Sequence, residues 1–162
     1  MESLIIDFAR ENNEKEAINL IDNEKTSVNV EDKDGYNLLM ISLLRGLEDL
    51  SLKLIERNIN LKHQDSKGQT ILHHLAIFYN EKILLKCLEE GADLSISDIY
   101  GNQSLWTTVF NDKGYGKRLE MIKILMEYGA DPYHKNNVEK SPYDMARITK
   151  NNEVKSIFEN YK

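Results

Sequence analysis

Apolar residues along this chain come in short clusters of helical spacing, two clusters at a time, with polar breaks between them. Leu38, Leu39, Ile41 and Leu43 are followed by Leu47, Leu50, Leu52, Leu54 and Ile55. Ile71, Leu72, Leu75 and Ala76 are followed by Ile83, Leu84, Cys87 and Leu88. Leu105 and Trp106 precede Leu119, Ile122, Ile124, Leu125 and Met126. Leu4, Ile5, Phe8 and Ala9 with Ala17, Ile18, Leu20 and Ile21 open the series, and Val154, Ile157 and Phe158 close it. Each pair of clusters predicts two short helices joined by a turn. Capping residues stand where the helices should begin: Ser3, Asn37, Thr70, and Ser141 followed by Pro142. Gly91, and Asn58 at the matching place, suit the left-handed residue that ends a helix.

The pattern is a repeat. Gly35, Gly68 and Gly101 are 33 residues apart, and an aspartate (Asp32, Asp65, Asp98) stands three before each, as a turn held by backbone hydrogen bonds requires. The next interval, to Glu139, is 38 residues, so five extra residues enter within 111–117, where two glycines predict a flexible loop. Thr70-Ile71-Leu72-His73-His74-Leu75-Ala76 on this period, with closures Gly91-Ala92-Asp93 and Gly129-Ala130-Asp131, resembles the ankyrin repeat family. The resemblance implies an all-α ankyrin repeat solenoid in a single domain. It has about five helix-turn-helix repeats, at 1–28, 29–61, 62–94, 95–132 and 133–162, with degenerate terminal caps. Lys150, Lys155 and Lys162 would face water on the last of these. It also implies that His73 hydrogen-bonds neighbouring backbone.

Composition changes this picture in a few places. The net charge is −6, and residues 1–50 hold 12 acidic against 5 basic residues while 51–162 hold 15 against 16. That sign disfavours nucleic acid and favours a basic protein partner. Cys87 is the only cysteine, so no intrachain disulfide forms, and its place on an apolar face predicts a buried, unreactive thiol. Acidic and polar residues interrupt the N-terminus before a signal-peptide core forms, and no run approaches the ~20 apolar residues of a membrane span. A cytoplasmic protein is expected. His73 and His74 are adjacent and cannot share a helix face, and zinc-site spacings are missing, so no metal is expected. Gly114-Tyr115-Gly116 follows no strand and predicts no phosphate loop. Every carboxylate that recurs is explained by the turns. No catalytic grouping, cofactor or small-molecule substrate is expected.

Ankyrin-like arrays bind through hairpin tips and the exposed face of each first helix. Transferred to this frame, the tips supply Lys33, Asp34, Tyr36, Ile99 and Tyr100, and the helices supply Ile77, Phe78 and Phe110. These eight residues are the expected partner-binding set. Residues 102–114, Gly129-Ala130-Asp131-Pro132, Lys135-Asn136-Asn137 and Ser141-Pro142-Tyr143-Asp144-Met145-Ala146 are similar to small bacterial ankyrin proteins encoded beside polymorphic toxins. Those are immunity proteins, so the likeness implies a cytosol-acting, basic toxin domain as partner. A general scaffold, or an effector that occludes another protein, remains the alternative.

Overall fold

The computed structural model describes residues 2–23 and 26–161, with side chains from Leu4 onward. Among them are ten helices and no strand. They form five antiparallel pairs: α1 (Glu2–Arg10) with α2 (Glu14–Asp22), α3 (Leu38–Arg45) with α4 (Glu48–Glu56), and α5 (Ile71–Ile77) with α6 (Glu81–Glu89). The last two are α7 (Ser104–Asp112) with α8 (Leu119–Glu127) and α9 (Pro142–Ile148) with α10 (Asn152–Asn160). The first helices α1, α3, α5, α7 and α9 pack side by side in one ladder, and α2, α4 and α6 in a second; α10 packs on α8 in the same way. Such quasi-one-dimensional stacking, with each pair touching only its neighbours, is a solenoid.

The apolar clusters fill the space between the ladders. Leu39, Leu50, Leu54, Leu72, Leu75, Leu84, Leu125 and Phe158 are all buried. Cys87 lies among them, and burial pushes its thiol up to about 12. Helix starts are held by side chains: Asn37, Asn80, Ser141 and Asn151 accept from the amides of Met40, Ile83, Asp144 and Val154. Two expected starts differ. Helix α1 already runs from Glu2, so Ser3 lies inside it; its side chain is outside the described residues, as is Lys162. Leu47 precedes α4 at its N-cap and is not part of the helix.

Each hairpin tip is built on one aspartate or asparagine. Asp32 Oδ1 accepts from the amides of Asp34 and Tyr36, Asp65 Oδ1 from Lys67 and Gln69, and Asp98 Oδ1 from Tyr100 and Asn102. In the last unit Asn136 Oδ1 does the same for Val138 and Lys140. Successive tips are then joined by backbone: the amides of Ser66, Ile99 and Asn137 donate to the carbonyls of Asp34, Lys67 and Tyr100. His63 and His134, each five residues before its own tip's glycine position, bond the carbonyls of Gly35 and Gly101 in the tip before.

Candidate functional site

The surface in question combines the tips with the outward side of the first-helix ladder. Two buried histidines tie its tips to the helices. The Thr70 amide donates to His73 Nδ1 at 3.1 Å, so that nitrogen carries no proton. The ring's remaining hydrogen is therefore on Nε2, which donates to the Asn102 carbonyl of the next tip at 2.9 Å. His74 Nε2 lies 2.9 Å from Asp65 Oδ2, and Tyr36 sits edge-on to the His74 ring at 5.2 Å. Burial lowers the pKa of both histidines, for His74 against the opposing pull of Asp65. All four histidines thus have bonds that tie one tip or helix to another. Among the described residues no three His, Cys, Asp or Glu side chains gather as a metal ion would require.

Of the expected partner-binding residues, Lys33 and Asp34 are exposed on the second unit's tip. Tyr36 is half-buried, because its ring is engaged with His74. Ile99 and Tyr100 are 56% and 60% exposed on the fourth tip, and Ile77, Phe78 and Phe110 are exposed on α5, its C-cap and α7. Phe110 stacks on Trp106 at 5.2 Å between ring centroids, so the indole, five residues after Gly101 as His73 is five after Gly68, becomes a support for an exposed ring. The Trp106 Nε1 hydrogen has no protein acceptor among the described residues.

The aligned set is longer than expected. Nine residues after each tip's glycine position stand Leu44, Ile77, Phe110 and, counted from Glu139, Ile148, all of them exposed. They occupy α3, α5, α7 and α9, four consecutive members of one ladder. Neighbouring helix axes lie ~8–10 Å apart, so the column repeats at about that interval. Leu44 and Phe78 line one shallow depression with Arg45 and Tyr79. Ile148 was already marked by its offset from Glu139; the expected set left out Leu44 at one end of the column and Ile148 at the other.

The inserted segment is ordered by its own hydrogen bonds. Two of the five extra residues lengthen α7, and the rest form the longer connection 113–118. Asp112, buried at the end of α7, accepts from the amides of Gly116 and Arg118 and from Asn151 Nδ2. Arg118 then reaches back to the last carbonyls of α5, with Nε on Ala76 and an Nη on Ile77 at 2.9 and 2.8 Å. Its guanidinium also lies over the Tyr79 ring. The glycines read as marks of flexibility instead serve left-handed turns in this pinned loop.

Comparison with known proteins agrees with this architecture. The family of ankyrin repeats (3 copies) matches residues 4–98, and the chain belongs to that family. Human BCL-6 corepressor-like protein 1 is 32% identical over 99 residues, 60% of this chain and 5% of that protein. A putative ankyrin repeat protein of Acanthamoeba polyphaga mimivirus is 27% identical over 126 residues, 75% of this chain and 15% of the relative. A probable serine/threonine-protein kinase of Dictyostelium discoideum is 26% identical over 155 residues, 90% of this chain and 17% of the relative. The chain spans less than a fifth of the length of each of these relatives. Ankyrin repeats are protein–protein interaction modules, and that is the class of this chain. No helix among the described residues is long and apolar enough to cross a membrane.

Proposed function

We propose that the five units act as one non-catalytic binding array whose partner is a folded basic protein, lying across Ile77, Phe78, Ile99, Tyr100 and Phe110. The observation that carries this is the register of exposed apolar side chains on consecutive first helices, Leu44, Ile77, Phe110 and Ile148. One such side chain on each of the second to fifth units forms an aligned apolar column, and scattered surface residues do not align this way. Lys33, Asp34 and the exposed edge of Tyr36 extend the contact at the N-terminal end, with Glu31 and Asp34 steering approach. Within this reading the partner is a cytosol-acting toxin domain, which the chain neutralises by covering it in the cytoplasm. The excess of acid in residues 1–50 and the likeness of the last third to bacterial immunity proteins support that identity. A general scaffold is the second reading, favoured by relatives that carry the matched segment inside much longer proteins of different kinds.

Surface plasmon resonance against the product of the neighbouring open reading frame tests the reading. Burying an aromatic anchor contributes ~2 kcal/mol, so Phe78→Ala and Tyr100→Ala each raise the dissociation rate about thirtyfold. Glu31→Lys with Asp34→Lys slows association, most visibly at low salt. Variants that fold yet bind like the parent show that the strip is packing. Failure of the chain to rescue growth of cells making the toxin removes the immunity identity and leaves the scaffold.

A further inference from the structure

We infer that the loop inserted between α7 and α8, together with the C-terminal end of α9, forms a second binding site that takes an acidic, partly apolar peptide segment. The loop lies outside the repeat pattern, and the site shares only Ile148 with the apolar column. Four observations carry it.

Exposed cations converge there. Lys113 and Lys117 flank the loop glycines, and Arg147 and Lys150 end α9. Lys140 lines a depression with Arg147, Ile148 and Asp144. The two segments meet: a Cβ at Gly114 would lie 3.6 Å from the Thr149 carbonyl, and Asn151 Nδ2 bonds Asp112 at 2.8 Å. None of these five cations is in an ion pair among the described residues, whereas Lys53, Lys82, Lys86, Lys135 and Lys155 are.

Of the acids nearby, Glu153 in the first turn of α10 is exposed and in no ion pair among the described residues, and the others are already engaged. Asp112 is buried under its three donors. Asp144 accepts from the amide and hydroxyl of Ser141, which lowers its pKa. Glu139 pairs with Lys135 and Glu120 with Lys123. Apolar surface is mixed with the cations: Tyr115 is 76% exposed at the loop apex, and Ile148 is 60% exposed beside Arg147.

The shape is fixed before any ligand arrives. Asp112 and Arg118 hold the loop from both ends, so little ordering is lost on binding. A polyphosphate backbone suits this site less well than a short carboxylate-rich segment. The strongly acidic residues 1–50 on the same array repel a long anion, and Tyr115 is the loop's one aromatic platform for stacking bases.

The probe is a fluorescein-labelled peptide of about twelve residues, rich in aspartate and glutamate with two leucines and a phenylalanine, long enough at ~3.3 Å per residue to cross the patch. Fluorescence anisotropy is read against the full chain at low and at physiological salt. Lys113→Glu, Lys117→Glu and Arg147→Glu combined weaken binding at least about tenfold, while Lys15→Glu, Lys53→Glu and Lys62→Glu, the same charge change elsewhere, weaken it less than about threefold. Equal losses in the two triples overturn the site. Asp112→Asn separates a built site from mere positive potential. Removing a negative charge tightens a purely coulombic patch, whereas a site that needs the Asp112 latch binds the peptide more weakly. Tighter binding by folded Asp112→Asn refutes the inference. If Asp112→Asn fails to fold, Tyr115→Ala serves instead: a loss of about fivefold or more supports the site, and unchanged affinity refutes it. A single-stranded oligothymidine that binds as tightly as the peptide, with the same sensitivity to the patch triple, also refutes it and marks a general polyanion surface.

Discussion

Two glycines with the same backbone conformation should respond very differently to one methyl group. Gly101 has φ +78° and Gly129 has φ +89°. An L residue in the left-handed region costs ~1–2 kcal/mol, and glycine-to-alanine changes the unfolded chain alike at both places, so these contributions cancel in the difference. The surroundings do not cancel. A Cβ at Gly129 meets nothing within 4 Å, while one at Gly101 would stand 2.8 Å from the Asn137 amide nitrogen and 2.5 Å from Asn137 Oδ1. The Asn137 side chain can swing away, but its amide nitrogen is fixed by a 3.0 Å bond to the Tyr100 carbonyl. Relief therefore means parting two stacked tips, an overpacking cost of ~1–3 kcal/mol. Gly129→Ala should lose about 1 kcal/mol and Gly101→Ala about 2–4 kcal/mol. Urea unfolding followed by circular dichroism measures both, with the slope checked for constancy so that midpoints convert to stability. Equal losses would refute the claim that tip-to-tip contact, and not only backbone conformation, requires glycine.

Three further outcomes follow from the same geometry. His73 and His74 have folded pKa values lowered by burial, so the unfolded chain binds protons first; stability should be full above about pH 7 and fall as pH drops below the unfolded histidine value of ~6.5, a slope that His73→Gln with His74→Gln flattens in pH-dependent urea melts. Arg118→Ala leaves the Ala76 and Ile77 carbonyls without their partner and should cost ~1–2 kcal/mol by urea melt, with faster hydrogen exchange at the α5 C-terminus; unchanged exchange there would count against its capping role. Glu139→Gly should raise stability by up to ~1 kcal/mol in the same melts, since Glu139 is held at φ +58°; a loss would show that its pairing with Lys135 outweighs the strain.

The repeat was legible because its signals are local. Thr70, Asn37 and Ser141 mark helix starts by chemistry that depends on the next three residues, and Asp32, Asp65 and Asp98 mark turns by bonds to the next four. Sequence spacing carries such features almost intact. The insertion was located but misread, since glycines at 114 and 116 say that the chain turns there and nothing about what holds the turn. The holding contacts, Asp112 to Asn151 and Arg118 to Ala76, join residues about forty positions apart, and no local pattern announces them. Tyr36 illustrates the same limit: its offset from Gly35 places it at a tip, but only the fold brings His74 against it.

Glu139 shows how the two kinds of information combine. The fifth tip keeps its turn acceptor, Asn136, and its left-handed residue, yet that residue carries a side chain. In the tips before it, a Cβ at Gly35, Gly68 or Gly101 would press on backbone of the following tip, at Ser66, Ile99 or Asn137. The Glu139 side chain lies in the open, 79% exposed and paired with Lys135. A side chain in that conformation thus bears the strain of φ > 0 without pressing on another tip among the described residues. The same reasoning explains why the exposed apolar column can continue onto Ile148 there. That position depends only on the helix-start offset from the turn, which Asn136 and Ser141 preserve, and not on the glycine that the turn has lost.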